Sequence, residues 1–91
     1  MNAVMIDKKD TVAVVIEPIH RGDVISYKLD DDIKTITALD DIMIYHKVAI
    51  HTMKKGSPVV KYGEHIGLAA KDIQAGEHVH EHNVESHREN L

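Results

Sequence analysis

The sequence predicts a small, single-domain, mostly β protein with little or no helix, and three observations carry that prediction. β-Branched residues collect in runs of strand length, no window keeps a helical apolar stripe for three turns, and one glycine-centred spacing recurs along the chain. At 91 residues the core must be small. It must also be built from Val, Ile, Leu, Ala and Met, because Phe and Trp are absent and Tyr occurs three times.

Taken in order, "TVAVVIEPI" (Thr11–Ile19) contains the continuous apolar run "AVVI", the mark of a strand buried on both faces. "DVISYKL" (Asp23–Leu29) and "IKTITAL" (Ile33–Leu39) follow, the second alternating polar and apolar as a half-buried strand does. "IMIYHKVAIHT" (Ile42–Thr52) reads as one long strand, and "PVVKY" (Pro58–Tyr62) and "HIGLAA" (His65–Ala70) as two shorter ones. Asp30–Asp32 reads as a solvated loop, since three carboxylates without spaced partners are a poor metal signature. Gly63 and Gly67 read as turn or bulge glycines, and Tyr62 as core. The closing "VESHRENL" is polar and predicts a frayed end.

The recurring spacing is apolar-x-x-Gly-x-x-apolar. It appears as Ile19/Gly22/Ile25, Met53/Gly56/Val59 and Ile73/Gly76/Val79. A tight turn needing positive φ explains each glycine, and the flanking apolar residues would plug the turn onto the core. Successive copies lie 34 and then 20 residues apart, too irregular for a solenoid. Each alone is an ordinary connector. Three together predict a much-folded β domain.

Composition excludes several functions. Without cysteine there is no disulfide and no thiolate metal site. No apolar run reaches the length of a membrane span and no signal-peptide layout opens the chain, so a soluble cytoplasmic protein is the expectation. Formal charge is −4, with scattered basic residues and few aromatics, which argues against nucleic acid. Eight histidines are many for this length, so mild acid would change the net charge.

Three of them form the row His78, His80, His82 in "AGEHVHEHN". A strand would place all three on one face, about 6.5–7 Å apart in sequence steps of two. Metal ligation by His78 and His80, an anion contact, and a solvated strand are all open on spacing alone. His46 and Lys47 stand together, and Lys47 suits a substrate carboxylate as well as the solvated face where most lysines lie. Alternation puts His46 and Lys47 on opposite faces, so one of them would face a given pocket. His20, His51, His65 and His87 carry no motif.

The stretch Tyr45–Asn83 resembles the SAF-type β-clip domain of the altronate/galactarate dehydratase family. The matching pieces are His46-Lys47-Val48-Ala49, Gly56-x-x-Val59, Lys61-Tyr62-Gly63-Glu64, Ile66-Gly67, Ala75-Gly76-Glu77-His78-Val79-His80 and His82-Asn83. "DTVAVVIEPIHRGDVI" fits more loosely. Two departures stand out: Tyr45 where members usually carry glycine, and Glu81 where a small or apolar residue is common. The resemblance implies a β-clip over residues 1–84, followed by a frayed polar tail over 85–91. It implies catalytic roles for His46, His78 and His80, with His78 and His80 as metal ligands. It also implies substrate-binding roles for Lys47, Glu64 and Asn83, although for Glu64 a turn-capping role is the stronger reading. His82 would border the site. The cofactor implied is a divalent metal, Fe²⁺ foremost and Mn²⁺ next, held mainly by a partner.

That partner would be a large catalytic lyase subunit, and the substrate a sugar acid, an aldonate or aldarate. The expected function is therefore a small, non-autonomous subunit of a metal-dependent hydro-lyase, inactive alone, which gives one wall of a shared site. Two alternatives stand beside it: the α subunit of a sulfolactate sulfo-lyase, and a stand-alone SAF module binding sugar acids or peptides without catalysis. Self-association of the isolated domain is left open.

Overall fold

Left-handed turns set the length of the strands. The computed structural model describes residues 1–85. Its strands are β1 (Ala3–Val4), β2 (Val12–Val15), β3 (Val24–Leu29), β4 (Asp32–Thr37), β5 (Lys47–Ala49), β6 (Pro58–Lys61), β7 (Glu64–Ala69), β8 (His78–Val79) and β9 (Val84–Glu85). There is no helix among the described residues. All pairings are antiparallel, in three small sheets: β1-β2-β5-β8, β3-β4 and β6-β7-β9. A chain that doubles back on itself this way is the expected β-clip.

Each predicted turn glycine has positive φ, at 93° for Gly22, 88° for Gly56 and 96° for Gly76, and the apolar residues flanking it are buried. A fourth copy escaped the sequence reading because it lacks the glycine. Ile42 and Val48 are its buried plugs, and Tyr45 takes the left-handed position at φ 70°. A non-glycine residue there costs about 1–2 kcal/mol. This turn cuts the long strand expected over Ile42–Thr52, leaving three paired residues in β5.

With four turns in view, the chain is an internal duplication. Ile19 bridges Ile42 in the first module as Met53 bridges Ile73 in the second. Gly22 N–H donates to the Ala38 carbonyl as Gly56 N–H does to Ala69. The Arg21 amide donates to the Asp41 carboxylate and the Lys55 amide to Asp72, both at 2.8 Å. Tyr45 N–H donates to Val15 O, and Gly76 N–H to Ala49 O. Each module sends out one hairpin, β3-β4 or β6-β7.

Every side chain of β2 is buried, as expected for Ala13–Val15 of the run "AVVI", because the strand lies between two cores, while Ile16 beyond its end is exposed. Ala13 and Val15 join Ile19, Ile25, Tyr27, Ile42 and Val48. Val12 turns the other way, to Ala49, Met53, Val59, Ile73 and Val79. Buried Asp10 ties the ends together: its carboxylate accepts the N–H groups of Ile6 (3.1 Å), Asp7 (3.0 Å) and Gly63 (2.7 Å), closing the N-terminal loop onto the tip of β6-β7.

Several local expectations change. Asp30 and Asp31 form a two-residue hairpin turn between paired Leu29 and Asp32, with Asp30 at φ 55°. Tyr62, expected in the core, is exposed at the β6-β7 tip at φ 54°, with the Lys61 ammonium 5.3 Å from its ring centre. Gly63 takes the β6-β7 turn at φ 77°, and the register shift opposite Val59/Val60 leaves Ile66 unpaired directly beside Gly67, as expected of turn and bulge glycines. Gly67 also makes room for β9, since a Cβ there would strike the Glu85 carbonyl oxygen. Glu85, placed in the expected tail, pairs with Leu68, while the rest of that tail and His87 lie outside the described residues.

Candidate functional site

The register of one short ladder assembles the site. β5 pairs with β8 through Lys47↔Val79 and Val48↔His78, so the next rung outward sets His46 against His80. Opposed residues on an antiparallel pair hold their Cβ atoms about 4.5–5.5 Å apart. The two imidazoles accordingly stack, with centroids 4.3 Å apart and planes 12° from parallel. His78, on the same strand as the rung, brings its Nε2 to 2.9 Å from His46 Nδ1. One ring nitrogen from each of His46, His78 and His80 falls within 4.8 Å of the others.

The row of three histidines is thus not one strand face. Pairing stops after Val79, and residues 81–83 turn back under His78. Asn83 makes that turn. Its Nδ2 donates to the His78 carbonyl at 2.8 Å and its Oδ1 accepts the His80 N–H at 2.9 Å. Fully buried and engaged at both ends, Asn83 is a backbone clamp and not the substrate contact expected of it. His82 stays exposed at the border, its ring 5.2 Å from that of His78 and tilted by 39°.

His46 and Lys47 do not divide between two separate surfaces. His46 lies outside β5, where strict alternation no longer applies, and His80 joins the two: it stacks on His46 and lines a cleft of about 410 Å³ with Lys47, Ile66, Glu81 and Val84. Glu64 stands elsewhere. It is exposed at the start of β7 opposite Lys61 and is not part of the histidine group. The structure therefore unites His46, His78, His80 and Lys47, and leaves out Glu64.

Asp40 was not singled out by sequence. Its Oδ2 accepts the His78 backbone N–H at 3.0 Å, fixing the start of β8. Asp-Ile before a turn, as in Asp41-Ile42 and Asp72-Ile73, marks the fourth repeat, but it points to Asp41, which accepts the Arg21 amide, and not to Asp40.

Electrostatics keep the cluster hungry for a partner. The His78 pKa is lowered first by burial, then by His82, His46 and His80, with Asp40 pulling the other way. The lowered pKa favours the neutral ring, whose Nε2 shares a hydrogen bond with His46 Nδ1. Lys47 is lowered by burial and then by Lys61, so its positive charge lacks compensation. His80 Nδ1 is buried without a hydrogen-bond partner, a state that costs free energy unless something binds there. Imidazoles at this spacing suit a divalent first-row ion such as Fe²⁺ or Zn²⁺. The Glu81 carboxylate, 3.7 Å from His80 Nε2, stands at the edge of the same donor set, while Asp40 is engaged by the His78 amide.

Comparison with known proteins identifies the family. The family described as the altronate/galactarate dehydratase SAF domain matches residues 1–87. An altronate dehydratase of Escherichia coli (strain K12) is 37% identical over 91 residues, covering 100% of this chain and 18% of that protein. One from Bacillus subtilis (strain 168) is 36% identical over 84 residues, covering 91% and 16%. The chain thus spans less than a fifth of those two proteins. A (2R)-sulfolactate sulfo-lyase subunit alpha of Chromohalobacter salexigens is 36% identical over 85 residues, covering 90% of each chain.

Proposed function

The chain belongs to the altronate/galactarate dehydratase SAF-domain family, and from that premise we propose that it forms one wall of a metal-dependent sugar-acid hydro-lyase site, completed by a larger lyase polypeptide. The observation that carries this reading is the cluster of His46, His78 and His80 beside the Lys47 cleft. The site is open to the surface, and the described residues build no second wall to enclose a substrate.

Dehydration of an α,β-dihydroxy acid removes a proton next to a carboxylate and expels the β-hydroxyl. Lys47 is suited to receive the carboxylate, because an anion would offset the burial and the Lys61 repulsion that disfavour its charge. His78, neutral by its surroundings, is suited to hold a lone pair on a metal or to accept the proton. His80, with an unpartnered Nδ1 and a ring edge on the cleft, is the second donor, and His46 the third. A divalent ion held by these histidines, Fe²⁺ foremost and Mn²⁺ next, would supply positive charge against the carboxylate and the departing oxygen. Glu81, 3.7 Å from His80 Nε2, could add a carboxylate, and the remaining ligands would come from the larger polypeptide.

A second reading, a sulfo-lyase subunit releasing sulfite, is favoured by the equal 90% coverage with the sulfo-lyase subunit alpha. One experiment separates them. The chain is co-purified with the large lyase chain of the same genome, supplied with Fe²⁺ or Mn²⁺, and given a panel of aldonates, aldarates and sulfolactate. Keto-acid formation from a sugar acid supports the first reading and sulfite release the second. Neither product from an intact, metal-loaded complex overturns both.

A further inference from the structure

The duplicated modules give an internal control for surface chemistry. In the second module the turn between Ile73 and Val79 is Gln74-Ala75-Gly76, polar and small. The equivalent turn of the first module, between Ile42 and Val48, is Met43-Ile44-Tyr45. The two share their bridge, their carboxylate cap and their left-handed residue, so turn geometry does not demand the apolar side chains. Met43 is 66% and Tyr45 72% exposed, so the core does not demand them either. Beside them a largely apolar hollow of about 200 Å³ is lined by Pro18, Ile19, Ile42 and Met43, with His20 and Asp41 at its rim. Tyr45 also holds a strained backbone where its three counterparts have glycine, with no stacking or cation–π contact of its ring among the described residues. Strain retained at an exposed aromatic points to a role in recognition.

We propose that the Met43–Tyr45 turn and its hollow form the surface on which the larger lyase polypeptide docks. This rests on the reading that such a polypeptide completes the site. Two observations favour that occupant. Tyr45 precedes His46 directly, so whatever covers the turn arrives at the edge of the histidine cluster. Furthermore, this domain type makes up 16–18% of the altronate dehydratases, where more than four-fifths of the protein lies outside it.

The test rewrites the turn as its sister, Met43→Gln/Ile44→Ala/Tyr45→Gly, and measures binding to the purified large lyase chain of the same genome by calorimetry. The variant is expected to fold with a Tm at or above that of the parent, since strain is removed. Its Kd should weaken at least about tenfold, as loss of an interface anchor does. Equal Kd for parent and variant overturns the docking surface while leaving the lyase-subunit reading intact. No binding by the parent overturns both. A parent that self-associates, with a monomeric variant and unchanged lyase binding, assigns the patch to a second copy of this chain and overturns the proposal.

Discussion

His46 and His80 stack one step beyond the last rung of the β5-β8 ladder, their rings 4.3 Å apart, although 34 residues separate them in the chain. Ligation by the pair therefore depends on both strands. His46→Ala is expected to weaken divalent-metal binding on the order of 10–100-fold, as much as His78→Ala or His80→Ala. Calorimetric titration with Zn²⁺ as the probe checks this. Unchanged affinity in His46→Ala would remove that residue from the donor set.

Asp10 should matter more to stability than any other carboxylate in the chain. Truncation to Ala leaves the N–H groups of Ile6, Asp7 and Gly63 without their acceptor. A loss of about 2–4 kcal/mol is expected, with a Tm drop on the order of 10–20 °C. Asp10→Asn should fall between, since its amide nitrogen would face donors. Thermal unfolding followed by circular dichroism reads both.

The turn glycines are not equivalent. Around Gly56 a methyl group would meet nothing within 4 Å, so Gly56→Ala bears only the positive-φ cost, about 1 kcal/mol. At Gly76 the methyl would run into the Thr37 carbonyl oxygen and Leu39 as well. Gly76→Ala should cost about 3 kcal/mol or more and loosen the neighbouring histidines. Denaturant midpoints of the two variants should differ accordingly.

Acid should weaken the metal-free fold through His78. Burial and the adjoining imidazoles hold its pKa below 6.5, so near that pH the unfolded chain binds more protons than the folded one. Stability then rises with pH through the window from the lowered folded value up to 6.5, and is reduced below it. The chelator-treated protein should show a Tm that climbs over roughly pH 5 to 7. In His78→Gln that climb should be shallower, and an identical slope would reject the assignment.

How much of this was legible beforehand follows from the range of each interaction. The three glycine turns and the buried run of β2 could be read because each signal is local. The fourth turn was hidden by Tyr45, since a left-handed φ at a tyrosine leaves no trace in composition. The row His78/His80/His82 suggested a site, but the stacking with His46 is set by ladder register, which no spacing within "AGEHVHEHN" encodes. For the same reason Asn83 passed for a substrate contact: its duty as a clamp depends on a reversal of the backbone that only the fold displays. Asp40 was illegible because its partner is the amide of a residue 38 positions on.

The duplication has one further consequence, for where the chain can be divided. β5 is both the closing strand of the first module and the opening strand of the second, with Val12–Ala49 and Lys47–Val79 as its rungs on either side. The halves are joined by a shared strand, with no linker between them. Cutting the chain ahead of residue 46 would take from the first half the strand that completes it, and leave the second half with an unpartnered edge. Two half-length fragments should therefore be insoluble apart and recover structure only when combined. Two similar halves are thus, in folding terms, indivisible.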